Sequence, residues 1–155
     1  MKISVLTFTL ILISCFVLAQ KKQPSEHFNL EKKNVALKGY DPVSYFKDEP
    51  KEGKSNIASM HDGILYYFSN QENKTEFEQN PGDYVPQYGG WCAYAMGVDG
   101  SKVDINPETY KIVDGKLYLF YNKFFQNTKD DWNQDEENLM QKADQYWQKL
   151  LEEHQ

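Results

Sequence analysis

The chain has 155 residues, a formal charge of −6 and 17 cationic side chains, every one of them lysine. Without arginine there is no planar fork for bidentate capture of phosphate or guanine, so an acidic chain of this kind excludes nucleic acid as an expected partner. The length admits one domain with a real core, and 11 Tyr, 9 Phe and 3 Trp are available to fill it.

Met1-Lys2 opens an apolar, uncharged run, Ile3 to Leu18, which ends in Val17-Leu18-Ala19 before Gln20-Lys21-Lys22. A charged start, a short apolar stretch and small residues before the cut predict a signal peptide over residues 1–19, hence export to a periplasmic or extracellular space. The run is shorter than the roughly 20 apolar residues a membrane-spanning helix needs. Leu12-Ile13-Ser14-Cys15 also resembles a lipobox, so a lipoprotein anchored through Cys15 is the alternative. Phe16-Val17-Leu18 extends the apolar run past that point and favours cleavage after Ala19. Residues 20–33, polar and lysine-rich with Pro24, read as a flexible tether. Residues 34–155 read as one domain.

Within the domain, Val35-Ala36-Leu37 is a short apolar strand ended by Gly39. Tyr40-Asp41-Pro42-Val43 reads as a helix start, with Asp41 as cap and Pro42 at the first helical position. Lys47 to Ser55, with Pro50 and Gly53, reads as a surface loop. Two Asp-Gly pairs, Asp62-Gly63 and Asp114-Gly115, each separate two β-prone runs. That is the strongest short-range hairpin signal, because both positions tolerate positive φ. Ser69-Asn70-Gln71-Glu72 fits a capping box and predicts a helix from Asn70 to Gln79, stopping before Pro81. Gly89-Gly90 allows a sharp turn, Trp91 to Met96 a short helix ended by Gly97. Asn106-Pro107-Glu108 reads as another brief helix start. From Asp135 onward, Leu139, Ala143, Tyr146, Trp147, Leu150 and Leu151 keep near-helical spacing and predict a C-terminal amphipathic helix. No internal repeat is legible. The expected class is α+β: small antiparallel hairpins packed with short helices, plus that C-terminal helix.

After cleavage Cys92 is the only cysteine, so it is packing, a metal ligand or a reactive group. Met96 follows it at i+4 on the same helical face, a spacing that also describes an ordinary core stripe. His61 precedes the first Asp-Gly turn, where a histidine is also a common hydrogen-bonding cap. Met60 points to the opposite face of that strand. Cys92, His61 and Met96, with Met60 as a further thioether, form a soft ligand set suited to copper(I) or zinc. Cys92 and His61 also admit a nucleophile and base, as in thiol hydrolases, although no orienting residue is assignable. No P-loop, dinucleotide fingerprint or nucleophile elbow occurs. A third arrangement is an aromatic pocket for a small organic molecule, with Tyr40, Tyr88, Trp91 and Tyr94 as walls.

Gly39-Tyr-Asp-Pro-Val-Ser-Tyr-Phe46, His61-Asp-Gly63, Tyr67-Phe-Ser69, Asn80-Pro81, Tyr88-Gly-Gly-Trp-Cys-Ala93 and Asp114-Gly-Lys-Leu-Tyr118, in that order, resemble the secreted branch of the YHS domain family. The resemblance spans Val35 to Trp132 and implies an exported bacterial protein with a YHS-type fold; it supplies no activity. A related branch associated with heavy-metal-transporting ATPases carries three cysteines thought to bind metal. Their places here are Ser44, Ser69 and Asn73, so that metal site does not transfer. The expectation is therefore an exported, non-enzymatic binding protein, holding a soft metal through Cys92 and His61 or a small organic ligand in an aromatic pocket.

Overall fold

The computed structural model describes residues 25–47 and 49–153. The expected signal peptide, Cys15 and the first part of the expected tether lie outside the described residues. Among those described, no helix is long and apolar enough to cross a membrane.

The fold is α+β. Strands β1 (Leu30–Glu31), β2 (Val35–Ala36), β3 (Lys54–His61) and β4 (Ile64–Phe68) form one sheet in the order β1-β2-β4-β3. Strands β5 (Asn106–Val113) and β6 (Lys116–Phe120) form a second hairpin, and β7 (Asn122–Lys123) with β8 (Gln126–Asn127) a small third one. Helices α1 (Gln71–Gln79), α2 (Ala93–Asp99), α3 (Thr128–Trp132) and α4 (Glu136–Glu152) complete the order. Both Asp-Gly turns form as expected, with φ of 50° and 80° at Asp62 and Gly63 and of 49° and 71° at Asp114 and Gly115.

These elements compose one unit built twice, which the sequence does not announce. Leu37, Lys38 and Gly39 are three consecutive left-handed residues (φ 56°, 52°, 85°), and so are Tyr88, Gly89 and Gly90 (φ 53°, 61°, 81°). An aromatic residue closes each bend with the same bond, Tyr40 N–H to Leu37 O at 2.9 Å and Trp91 N–H to Tyr88 O at 3.1 Å. Next comes a buried side chain, Asp41 or Cys92, whose own N–H donates to Lys51 O at 2.8 Å or Val103 O at 2.9 Å. Each unit then carries a hairpin of eight and five residues with an Asp-Gly turn and a register slip, between Lys54 and Ala58 in one and Asn106 and Tyr110 in the other. The units differ after the hairpin. In the first, α1 starts two residues beyond Ser69; in the second, β7–β8 intervenes between Tyr121 and α3.

The core has two parts. One gathers Tyr45, Tyr66, Phe68, Phe77, Leu117 and Leu119, with Cys92 among them. In the other, α4 lays Leu139, Ala143, Trp147 and Leu151 against Met96, Phe120 and Trp132. Each large side chain so buried contributes about 1.5–3 kcal/mol. Helices α2 and α4 touch at Gly97, where an added Cβ would lie 2.6 Å from Leu139 O.

Several expectations are corrected. The described part of the expected tether is packed: β1 pairs with β2, Asn29 N–H reaches Gly89 O at 2.8 Å, and His27 is buried. Asp41-Pro42 starts only a 3-10 turn, Ser44–Lys47, because Asp41 Oδ1 takes the Val43 N–H two residues on. Asn70, not Ser69, caps α1, accepting the Asn73 N–H at 2.8 Å. Helix α2 runs through Gly97 and ends at Gly100, whose φ of 78° admits the closing bond to Met96 O. Asn106-Pro107-Glu108 lies in β5; the register slip there frees Pro107 from the ladder bond it cannot make. Tyr146 leaves the expected apolar stripe of α4, with 38% exposure, and covers Gly100 instead.

Candidate functional site

A cavity of about 270 Å³ opens where the first hairpin, the bend that begins the second unit, and α4 meet. Its aromatic walls are Phe28, Tyr66, Tyr88 and Trp147; its polar side is His61, Asp62 and Gln87. The Asp-Gly turn places His61 Nε2 3.4 Å from Asp62 Oδ2 and leaves both side chains partly open to solvent. His61 also stands edge-on to Phe77, with ring centroids 6.1 Å apart. Phe28 packs edge-on against Trp147 at 6.0 Å. Tyr88 sends its hydroxyl away to Asp144 Oδ1 at 2.9 Å, so its ring is what the cavity meets. Burial pushes the Tyr66 and Tyr88 hydroxyls well above the ordinary range, with Asp144 adding to the effect at Tyr88. Both therefore act as neutral walls. Gly89 is required here: it takes φ of 61°, and an added Cβ would meet Trp147 Cη2 at 2.8 Å.

Cys92 lies elsewhere. Its sulfur is fully buried, accepts the Tyr121 N–H at 3.3 Å and sits 3.3 Å from Thr128 Oγ1. It backs a second cavity of about 280 Å³, shared with Tyr94, Val98, Val103, Tyr121 and Thr128. That cavity has no lining residue in common with the one at His61. Met96 is wholly buried between α2 and α4 and lines neither, and Met60 is 69% exposed on the outer face of β3. Among the described residues no group of three His, Cys, Asp or Glu side chains could hold a metal ion. Cys92 and His61 thus line separate cavities, and Met96 lines neither of them.

The four proposed aromatic walls are likewise dispersed. Tyr88 lines the cavity at His61 and Tyr94 the one at Cys92. Tyr40 donates to Glu108 Oε1 at 3.2 Å on the surface, and Trp91 Nε1 donates to His27 O at 2.6 Å, tying down the N-terminal segment. The pocket that exists is completed by Phe28 and Trp147, from the expected tether and the expected C-terminal helix. Neither position carries a sequence signal for a site, since each reads as packing.

Ser44, Ser69 and Asn73 do come together. They line one polar pocket of about 260 Å³, and all three bond to the buried Asp41. Asp41 Oδ2 accepts from Ser69 N–H at 2.9 Å, Ser69 Oγ at 2.7 Å and Asn73 Nδ2 at 2.7 Å; its backbone oxygen accepts from Ser44 Oγ at 2.7 Å. Lys47 Nζ completes the cluster, donating to Asn73 Oδ1 and Glu76 Oε2, both at 2.8 Å. The Glu76 carboxyl is held below its usual range, first by Lys47 and then by Tyr84. The side chains of Asp41, Ser44, Ser69, Asn73, Lys47 and Glu76 are all partnered within the chain, and the cluster clamps the 3-10 turn, β4 and α1 together.

Comparison with family models, with curated proteins and with solved structures gives no match to this chain.

Proposed function

We propose that this is an exported binding protein of the YHS type whose cavity between the two units takes a small, ring-bearing organic cation. The observation that carries the reading is the convergence of four aromatic rings on a pocket with a carboxylate at its edge. Aromatic faces attract cations electrostatically and cover apolar rings, and Asp62 supplies an opposite charge. The cavity of about 270 Å³ lies just below the small end of ordinary ligand sites and suits a molecule of about ten heavy atoms.

Calorimetric titration with phenethylamine tests the proposal. Saturable one-to-one binding, weakened about fivefold by Asp62→Asn, is the expected result, a loss in keeping with an ion pair at an open rim. Absence of binding, or equal binding by Asp62→Asn, counts against it.

A further inference from the structure

The hairpin β7–β8 is an addition that the repeated unit does not need. The first unit passes from β4 to α1 with two residues between, whereas the second inserts Asn122–Asn127 before α3. The insert contributes nothing to either core. Its two-residue turn is Phe124-Phe125, exposed to 95% and 107%. Phe124 takes φ of 58°, a left-handed value where glycine or asparagine is the unstrained choice and a bulky aromatic residue is an outlier. Backbone strain and hydration both disfavour this pair in the free protein, so its presence points to an occupant that covers the rings.

We infer that Phe124 and Phe125 form a docking tip for a phospholipid bilayer surface. Two considerations favour a bilayer over a protein partner. Phenylalanine rings bury about 150–250 Å² each, so the tip offers roughly 300–500 Å², short of the roughly 800 Å² that each partner contributes to a stable protein interface. Charge at the turn itself agrees: Lys123 directly precedes Phe124-Phe125, whereas the first acidic residue, Asp130, is held by Asn127 Nδ2 at 3.0 Å at the base of the hairpin. Lys123 lies on the stem directly before the turn, where its ammonium can meet headgroup phosphates while the rings enter the interface. The tip is independent of the cavity at His61.

The test uses the protein in the form an expressing cell exports, floated with vesicles of phosphatidylcholine alone and of phosphatidylcholine with phosphatidylglycerol. The wild type is expected to float with both, and more with the anionic ones. The double variant Phe124→Ser/Phe125→Ser, at fully exposed positions, is expected to keep the same circular dichroism and to partition at least tenfold less. Phe125→Trp should shift its emission to the blue on binding and be quenched by lipids brominated near the headgroup. A wild type that stays with the aqueous phase, or a double variant that floats equally, overturns the inference. So does a concentration-dependent dimer, lost in the double variant, without vesicle binding; that outcome would assign the tip to a second copy of the chain.

Discussion

Asp41 and Cys92 occupy the same place in two copies of one structural unit. Each follows three left-handed residues and an aromatic, and each side chain accepts the N–H of the first residue beyond a hairpin, Ser69 at 2.9 Å for Asp41 and Tyr121 at 3.3 Å for Cys92. One copy fills the position with a carboxylate that also takes an amide and a hydroxyl proton; the other fills it with a thiol beside Thr128. The same backbone thus carries a polar clamp in one half and a thiol contact in the other.

The two positions should differ in cost. Asp41→Ala strands several buried donors at once and is expected to lose about 3–5 kcal/mol of stability. Cys92→Ala gives up one weak sulfur contact and a small volume, for a loss of about 1–3 kcal/mol. Urea unfolding of both variants reads the difference. Equal losses would show that the carboxylate is no more than a space-filler.

Cys92 should behave as a buried thiol separate from His61. A thiol reagent such as Ellman's should react with the native protein only through local opening, at least about 100-fold slower than in urea. In a copper(I) titration against a competing chelator, His61→Ala should match the wild type, since the two side chains line different cavities. Loss of copper(I) binding in both Cys92→Ser and His61→Ala would restore the joint metal site.

Gly97 sets the spacing between α2 and α4. With Leu139 O only 2.6 Å from the position of an added Cβ, Gly97→Ala forces the helices apart and should cost about 1–3 kcal/mol. The thermal midpoint measures this, and Gly82→Ala, where nothing lies within 4 Å, is the control.

Alkaline pH should unfold the protein through its buried tyrosines. Burial raises the hydroxyls of Tyr45, Tyr66 and Tyr88 well above the ordinary value and pushes Tyr118 up to about 12. The folded state therefore favours the protonated phenol. That contribution is complete below about pH 10 and declines as pH rises toward the folded values. Tyrosinate absorbance at 295 nm should be lower for native than for urea-unfolded protein at pH 11, and stability should fall over the same interval. Coincident absorbance curves would refute the burial.

Much of the fold is legible in the sequence where side-chain chemistry decides backbone shape. Asp-Gly fixes both turns, and the spacing of Leu139, Ala143, Trp147 and Leu151 fixes α4. The repeat is illegible because its signature is a run of left-handed φ values at Leu37, Lys38 and Tyr88, residues with no preference for that region. The order of the N-terminal segment is hidden for a related reason. Asn29 and His27 are polar, and their anchoring depends on Gly89, Gly90 and Trp91 across the fold. Of the site, His61 and Tyr88 were readable as candidates, because histidine at a turn and a clustered tyrosine are chemically marked. Phe28 and Trp147 were not, since a cavity wall and a core residue have the same composition.

The most direct test of the central claim is to map phenethylamine onto the protein by amide and indole chemical shifts, beside a Gln87→Trp variant that fills the cavity at its partly open side. The account predicts saturable shifts confined to the Trp147 indole, His61, Asp62 and Gly89, and their loss in the variant. Shifts centred on Tyr94, Val98 and Thr128, or shifts that persist unchanged in Gln87→Trp, would contradict it.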